Sequence, residues 1–459
     1  MAQRSSRAAR RRRRKIINLI KLGAIALAII AVIVVAIVLI VNGAKKNETK
    51  TISETGKISE SMSAGESAAG ENQSGDGQEA EETSEEGEPY VVASATLGAT
   101  GDILLHNSVL YSAYMGDGVY DFTDMFADVA PYWSSVDYMV ANLEVPCGGS
   151  QGEKGSQYPT FDAPDSIVEG LKNAGVDMCL TASNHTYDCY DDGVIHTQEV
   201  INAQGLDHTG TRLSTDESYL LIKDINGVRF GMVCYTYDTR EDIYDDMSLN
   251  TIPVDDETAQ LVNTFCYSDA GLEELYSSVK ADISKMESEG CDVKVFFMHW
   301  GTEYVDEPSD FIQGIAQKLS DLGADLIIGG HPHVIQPFDV LTGSGGNTTY
   351  CLYSTGNAIS GQRKDIMVPE EPRGYTEDGL MATFTFDKWS NGETKLSGIY
   401  FLPTWVDLND GIYTVVPLDE DLDSYDWATW NTDEALASYD RTIGRVGDVY
   451  ANLRSQLEN

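Results

Sequence analysis

Four histidines lie in three short stretches of this chain, and each stretch follows a run of apolar residues. The stretches are residues 183–186, 299–303 and 329–333, and their histidines are His185, His299, His331 and His333. Each apolar run predicts a buried strand. Side chains that end neighbouring strands meet at one edge of a sheet, so imidazoles from distant segments can surround one point. This pattern is typical of a divalent-metal site.

Oxygen-bearing side chains follow predicted strands in the same way. Asp102 comes directly after Gly101 at the end of the first apolar run. Glu144 ends a second run, and Asn184 ends a third. A mixed nitrogen and oxygen set suits Zn, Mn or Fe, and two such ions roughly 3.5–4 Å apart would activate water and hold an oxyanion. The predicted metal ligands are Asp102, Glu144, Asn184, His299, His331 and His333.

Proton chemistry is assigned to His185 and Asp188. Because His185 follows Asn184, its imidazole would lie beside the ligands and act as a general acid or orient a phosphate-like group. Asp188 would hold that imidazole in one tautomer. The pieces also have ordinary interpretations, since a lone carboxylate after a strand can form a turn and Asn184-His185 can be a capped turn. A shared site is favoured because all pieces follow the same kind of strand.

Apolar runs alternate with stretches of helical periodicity from residue 90 onward. Predicted strands include 91–101, 138–143, 176–182, 293–298 and 326–328, and predicted helices include 167–174, 273–289 and 311–322. Asn226-Gly227 between two apolar runs predicts a β-hairpin. Strands that alternate with helices predict an α/β layered fold. His106 is expected to be a loop histidine and Trp300 a core residue.

The first 89 residues predict a membrane anchor and a spacer. Residues 1–21 hold nine Lys and Arg and no acidic residue, and residues 22–41 carry no charge. A helix of twenty residues is about 30 Å long, the thickness of the bilayer hydrocarbon core. The basic segment would stay cytoplasmic, which places the remainder outside the cell in a single-pass protein; a cleaved signal peptide is the alternative. Residues 42–89 are predicted to be a disordered acidic linker.

The chain has 459 residues and a formal net charge of -42. A protein surface with this much negative charge repels the phosphate backbone of nucleic acids, so nucleic acid is excluded as a partner. It would also repel an anionic polymer unless cations intervene. Three of the seven cysteines lie in apolar runs and are predicted to be buried thiols: Cys179, Cys234 and Cys351. Three others lie in loop-like sequence and could form disulfides, although the sequence does not say which of them would pair: Cys147, Cys189 and Cys266.

Six blocks of sequence carry a resemblance to a known family. They are Gly101-Asp102, Asn142-Leu143-Glu144, residues 183–185 with Asp188 and Gly193, residues 299–304, residues 330–337 and residues 353–357. In this order they resemble the bacterial capsule synthesis protein CapA family, which is linked to poly-γ-glutamate capsules. The resemblance covers about residues 93–401.

That family is similar in fold to calcineurin-like metallophosphatases. The resemblance therefore implies a four-layer α/β/β/α sandwich over residues 90–405, followed by a C-terminal extension at 406–459 with a terminal helix. It also implies that the six predicted ligands match metal positions and that His185 matches the catalytic histidine. One position departs from the phosphatase pattern of Asp-x-His, because Leu104 replaces the imidazole and removes one ligand.

Three functions follow as hypotheses. The first is a membrane-anchored protein of poly-γ-glutamate capsule synthesis, export or attachment, with the membrane, the polymer and capsule synthase subunits as partners. The second is a surface metal-dependent phosphoesterase or amide hydrolase. The third is a non-catalytic polymer-binding scaffold.

Overall fold

The computed structural model describes residues 88–148, 158–239, 246–364, 375–419 and 432–458, which belong to one compact unit. The predicted transmembrane helix at 22–41, the basic segment before it and the linker up to residue 87 lie outside the described residues. Within the described part of the chain, no helix combines the length and the apolar character needed to span a membrane.

The described residues form a mixed α/β fold, as the alternation of strands and helices predicts. The longer strands are β1 Val91–Leu104, β4 Tyr138–Asn142, β7 Leu221–Ile225, β8 Val228–Tyr237, β12 Val293–His299, β13 Leu326–Gly330, β14 Phe338–Thr342, β15 Thr348–Leu352, β16 Asn357–Ser360, β17 Asp378–Trp389, β18 Thr394–Asn409 and β19 Ile412–Pro417. The shorter strands are β2 Tyr114–Gly116, β3 Val119–Tyr120, β5 Met178–Leu180, β6 Asp207–Thr209, β9 Ser248–Leu249, β10 Ile252–Pro253 and β11 Thr264–Phe265.

Helices connect many of these strands. They are α1 Asn107–Ala113, α2 Thr123–Phe126, α3 Ala130–Trp133, α4 Ser166–Asn173, α5 Tyr190–Gln204, α6 Asp269–Ser288, α7 Asp310–Leu322 and α8 Thr432–Leu457, with a 3₁₀ turn at Thr258–Leu261. Local sequence sets their ends: the Ser309 hydroxyl accepts from the Ile312 N–H at the start of α7, and Gly323 ends that helix at φ +112°. The predicted hairpin joins β7 to β8, with Asn226 and Gly227 both at positive φ.

The strands of the described residues form two large sheets and two short ribbons. The first sheet has the order β19-β18-β17-β1-β4-β5-β6, with β16 also paired to β1, and its β1, β4, β5 and β6 are parallel. The second sheet has the order β11-β8-β12-β13-β15-β14, with β7 also paired to β8. Its β8, β12, β13 and β15 are parallel. Within each parallel set, the carboxyl ends therefore lie at one edge.

Three apolar clusters cover the faces of the two sheets. One cluster contains Val140 of β4 together with Phe297 of β12, so it draws on both sheets. The next residue of β4, Ala141, and the preceding residue of β12, Phe296, belong to two other clusters. The cluster that contains Ala141 includes residues of α4 and α5. The cluster that contains Phe296 includes residues of α6 and α7. Since successive strand residues point to opposite faces, both faces of each sheet are buried.

The C-terminal residues belong to the same unit. β18 runs through residue 405, where the sequence predicts the family domain to end, and β19 pairs with it. α8 contacts β17 through Arg441, whose Nη2 and Nε donate to the buried Asp378 carboxylate at 2.7 and 2.9 Å. Tyr450 of the same helix stacks on Phe401, with ring centroids 4.3 Å apart. The terminal helix thus packs on the first sheet, and Gly447 interrupts it.

All seven cysteines lie within the described residues, and none of them is joined to another by a disulfide there. Cys179, Cys234 and Cys351 are buried, as their apolar surroundings predict. The loop cysteines that were candidates for pairing form no disulfide in the described structure.

Candidate metal centre

Parallel strands of both sheets end at the predicted ligands. Asp102 lies near the end of β1, and Glu144 lies two residues beyond β4. His299 is the last residue of β12, and His331 is the first residue after β13. In the register of the first sheet, Asp102 is paired with Asn142. The strands therefore bring together side chains that are far apart in sequence.

Two backbone segments approach closely beside Asp102 and fix its position. The Asp102 N–H donates to the Gly356 carbonyl oxygen at 3.0 Å, and a bulge interrupts β1 here. A Cβ on Gly101 would lie 2.0 Å from the same oxygen. Only glycine fits there, so the Gly-Asp pair in the sequence is a packing requirement of the site.

Asp102 and His333 form a buried ion pair, with Oδ2 and Nδ1 3.0 Å apart. The second oxygen, Oδ1, accepts from the Asn142 amide at 2.7 Å. Burial raises the pKa of Asp102, but the hydrogen bond and charge of His333 outweigh it and leave that pKa below its usual value. Burial lowers the pKa of His333, but the carboxylates of Glu144 and Asp102 outweigh it and raise that pKa to about 10.

Glu144 is a buried carboxylate whose oxygens both lack a hydrogen-bond partner among the described residues. Its Oε1 lies 3.4 Å from His299 Nε2 and 3.6 Å from His333 Nε2. These distances are long for hydrogen bonds but close to the roughly 3.4 Å between two ligands that each lie about 2.1 Å from one tetrahedral ion. Burial raises the pKa of Glu144 well above its usual value. A bound cation would offset the cost of this buried charge.

Two donor atoms from different segments lie close together near Glu144: one is on His299 of β12, and the other is on Asn184 in the segment after β5. His299 Nε2 and Asn184 Oδ1 are 2.8 Å apart, and the other ring nitrogen of His299 lies 3.3 Å from the Asn142 amide nitrogen. Burial lowers the pKa of His299 to about 3. The imidazole is therefore neutral at physiological pH, which is the form that binds metals.

The His-Pro-His turn holds its two histidines in a left-handed backbone, with φ of +92° at His331 and +57° at His333. This conformation costs a residue with a Cβ on the order of 1–3 kcal/mol. The His331 N–H donates to Asp102 Oδ2 at 3.2 Å, which helps to hold the turn. The Nδ1 atom of His331 is buried and has no hydrogen-bond partner within the described structure.

Donor atoms fall into three overlapping sets, and within each set the atoms lie within 4.8 Å of one another. The sets are Asp102, Glu144 and His333; Glu144, His299 and His331; and Glu303, His331 and His333. Glu144, His331 and His333 each belong to two of the sets, so neighbouring sets share residues. The described residues therefore include groups able to hold a divalent metal, and the unpartnered atoms of Glu144 and His331 fit that use.

A histidine–carboxylate pair adjoins the donors, because His185 follows Asn184 directly. His185 Nδ1 lies 2.8 Å from Asp188 Oδ2, which also accepts from the Phe161 N–H at 2.7 Å. The Asn250 amide donates to Asp188 Oδ1 at 2.8 Å. With Nδ1–H directed at the carboxylate, Nε2 is the nitrogen that can exchange a proton with a substrate. The structure thus brings His185 and Asp188 together as the sequence predicts.

Three residues of the site lie outside the predicted set. Asn142 contacts Asp102 and His299, as described above. Asn357 is fully buried, with Oδ1 3.1 Å from His333 Nδ1 and its amide donating to the His333 carbonyl at 3.2 Å. Glu303 is the third. Asn142 and Asn357 also lie close to apolar runs, a signal that places them near strand ends but does not give their contacts.

The aromatic ring of Phe161 packs against His185. Phe161 contacts it edge-on at 4.7 Å between ring centroids and contacts His106 at 5.1 Å. His106 lies between β1 and α1 as expected of a loop histidine, and burial lowers its pKa to about 4. Trp300 is a core residue as predicted, with its indole N–H donating to the Tyr353 carbonyl at 3.1 Å.

Residues 96–362 match the family described as bacterial capsule synthesis protein PGA_cap. The match covers more than half of the chain and includes every predicted site residue. The chain belongs to this family. The sequence resemblance is thereby confirmed, and the PGA_cap segment contains all the donor atoms, whereas β17, β18, β19 and α8 lie beyond it.

Two curated relatives bear capsule-related names. The chain is 28% identical over 273 residues to "Capsule biosynthesis protein CapA" of Bacillus anthracis, covering 58% of this chain and 60% of that protein. It is 26% identical over 241 residues to "PGA biosynthesis protein CapA" of Bacillus subtilis (strain 168), covering 52% and 57%. The matches therefore span less than two thirds of these relatives.

Proposed function

We propose that this PGA_cap chain is a membrane-anchored, extracellular protein of poly-γ-glutamate capsule synthesis, export or attachment that uses a divalent-metal site. The observation that carries the proposal is the convergence of buried carboxylates and imidazoles within the family segment. The names of the two relatives support a role in the biosynthesis of this polymer, and capsule synthase subunits are the proposed partners. Mn, Zn and Fe are the proposed metals, since each accepts mixed nitrogen and oxygen ligands.

The predicted four-layer α/β/β/α order is part of this proposal. The cluster shared by both sheets supports two central sheet layers, and the clusters that join each sheet to helices support the outer layers. Such an order explains why the carboxyl ends of strands from two sheets meet at one site.

The residues of the site suit hydrolysis of a phosphoester or an amide. A bound divalent cation would act as a Lewis acid that stabilises negative charge developing on the substrate. Asp102, Glu144 and the imidazoles would hold the cation, and Asn184 would add an amide oxygen. His185 Nε2 would give a proton to the leaving group, while Asp188 keeps the ring in the required tautomer.

A surface metallohydrolase of unrelated substrate is the second candidate, favoured by the His185–Asp188 pair beside the donors. A polymer-binding scaffold that needs no chemistry is the third. The net charge of -42 opposes simple electrostatic binding of a polyanion. A cation in the site would supply the positive charge that such binding requires.

Deletion of the gene, followed by complementation with variant genes, distinguishes these three functions. We expect deletion to reduce surface polyglutamate severalfold or more, and the wild-type gene to restore it. A gene with both His331→Ala and His333→Ala should fail to restore the polymer, although immunoblotting shows normal amounts of the protein. Measurement of surface polyglutamate checks this.

An unchanged amount of polymer after deletion would contradict the capsule role. Full restoration by the double variant would instead favour the scaffold. A His196→Ala gene is the matched control, because His196 lies on α5 and pairs with Asp165 at the surface; it should restore the polymer fully.

A further inference from the structure

The loop after β12 carries a carboxylate that the predicted ligand set does not include. A carboxylate oxygen of Glu303 lies within 4.8 Å of a ring nitrogen of His331 and of His333. Both imidazoles are buried, and His331 Nδ1 has no hydrogen-bond partner in the described part of the chain. Glu303 itself is partly exposed, so it lies on the solvent side of the two rings.

Backbone contacts on both sides of Glu303 hold this loop against the His-Pro-His turn. The Tyr304 N–H donates to the Pro332 carbonyl at 2.8 Å, and the Gly301 N–H donates to the Tyr267 hydroxyl at 2.8 Å. Gly301 and Tyr304 both have positive φ, which forms a sharp bend around Glu303. These contacts fix the backbone on both sides of Glu303 and so place the residue beside the His-Pro-His turn.

Side chains from the C-terminal part of the chain add to this support. Arg445 of α8 pairs with Asp306 and Glu307, three and four residues beyond Glu303. Gln362 donates to the Tyr304 hydroxyl at 3.0 Å, which anchors the residue that follows Glu303. Since α8 lies outside the PGA_cap match, this chain uses a segment beyond the family domain to hold the loop.

Charge also favours a role for Glu303. With the imidazoles bound to metal in their neutral form, the three carboxylates of Asp102, Glu144 and Glu303 would leave excess negative charge around a single divalent cation. Two divalent cations would leave a single positive charge, which an anionic substrate group would balance. The position that lacks an imidazole, Leu104, packs in an apolar cluster and supplies no donor.

We propose that Glu303 is a further ligand of the metal site, which the sequence leads us to expect to hold two divalent cations. One cation would be bound by Glu144, Asn184, His299 and His331, and the other by Asp102, Glu144 and His333. Glu303 would reach the second cation from the side of His333, whose ring nitrogen lies within 4.8 Å of the Glu303 carboxylate. This assignment rests on the metal site of the proposed function and adds a ligand to it.

Metal titration of the full-length chain in detergent tests the assignment. After removal of metals with a chelator, Mn²⁺ is titrated by calorimetry, and elemental analysis gives the number of ions per chain. We expect two Mn²⁺ for wild type. Glu303→Gln should bind one ion with little change and the other at least 10-fold more weakly. Glu303→Asp, which keeps the charge on a shorter side chain, should lie between them.

Glu393→Gln is the control, because it removes an exposed carboxylate in the turn between β17 and β18 that belongs to none of the donor sets; it should bind two Mn²⁺ as wild type does. Circular dichroism in chelator checks that each variant is folded. Two ions bound by Glu303→Gln with wild-type affinities would overturn the assignment, and so would a wild-type chain that binds a single ion. A wild-type chain that binds no Mn²⁺ would overturn the proposed metal site as well.

Discussion

Replacement of Glu144 by Gln is expected to stabilise the metal-free protein and to remove most of the stabilisation that metal gives. Without metal, the wild-type carboxylate is buried and both oxygens lack hydrogen-bond partners among the described residues, so a neutral amide lowers the cost of burial. With metal, the variant lacks the carboxylate charge of a residue that two donor sets share. We expect the affinity for Mn²⁺ to fall roughly 100-fold or more.

Unfolding experiments measure both effects. At a Mn²⁺ concentration 100 times the wild-type Kd, binding at one site raises the free energy of unfolding by about 2.7 kcal/mol for wild type and by only about 0.4 kcal/mol for a variant with 100-fold weaker binding at that site. Urea unfolding of the full-length chain, with chelator and with increasing Mn²⁺, gives these values.

The control for this prediction is Asp282→Asn. Asp282 is another buried carboxylate, but it lies on α6 and accepts from the Tyr235 hydroxyl at 2.6 Å. Its variant should respond to Mn²⁺ as wild type does. Equal stabilisation of wild type and Glu144→Gln by Mn²⁺ would show that Glu144 is not a ligand.

Removal of the His185 imidazole is expected to reduce turnover about 10²–10⁴-fold while the metal content stays unchanged. The reason is that His185 pairs with Asp188 beside the donors and belongs to none of the three donor sets. Asp188→Asn should cost roughly 10–100-fold, because Asp188 acts only through the orientation of His185. Rates on a phosphodiester and on a γ-glutamyl amide, measured together with elemental analysis, check this.

Each alternative outcome has a clear meaning. If His185→Ala keeps its activity, another group transfers the proton. If the variant loses metal and activity together, His185 is a ligand. Failure of the Mn²⁺-loaded wild type to hydrolyse either substrate would favour binding over catalysis. The surface variant His196→Ala should retain wild-type rates.

Much of the site could be predicted from sequence because its donors share one local signal. Asp102, Glu144, Asn184 and His299 each end an apolar run or follow it within a few residues, and parallel strands carry such positions to a common edge. The His-Pro-His turn adds two imidazoles that sequence already places side by side. The same logic predicted the mixed α/β fold, since strand and helix periodicities alternate along the chain.

Other parts of the site depend on tertiary contacts that local patterns do not encode. Asn142 contacts the site because β1 and β4 pair in one particular register, with Asp102 opposite Asn142. Glu303 has no strand-end signal, and its place follows from a bend and from contacts with Pro332 and with α8. Single-sequence periodicity locates strands, but it does not give their register or the path of a loop.

Anomalous diffraction from crystals of the full-length chain grown with Mn²⁺ is the most direct test of the metal centre. We predict anomalous peaks about 2.0–2.3 Å from a Glu144 carboxylate oxygen and from a His331 ring nitrogen. Crystals grown in excess Mn²⁺ with no peak among Asp102, Glu144, His299, His331 and His333 would contradict a metal site at these strand ends.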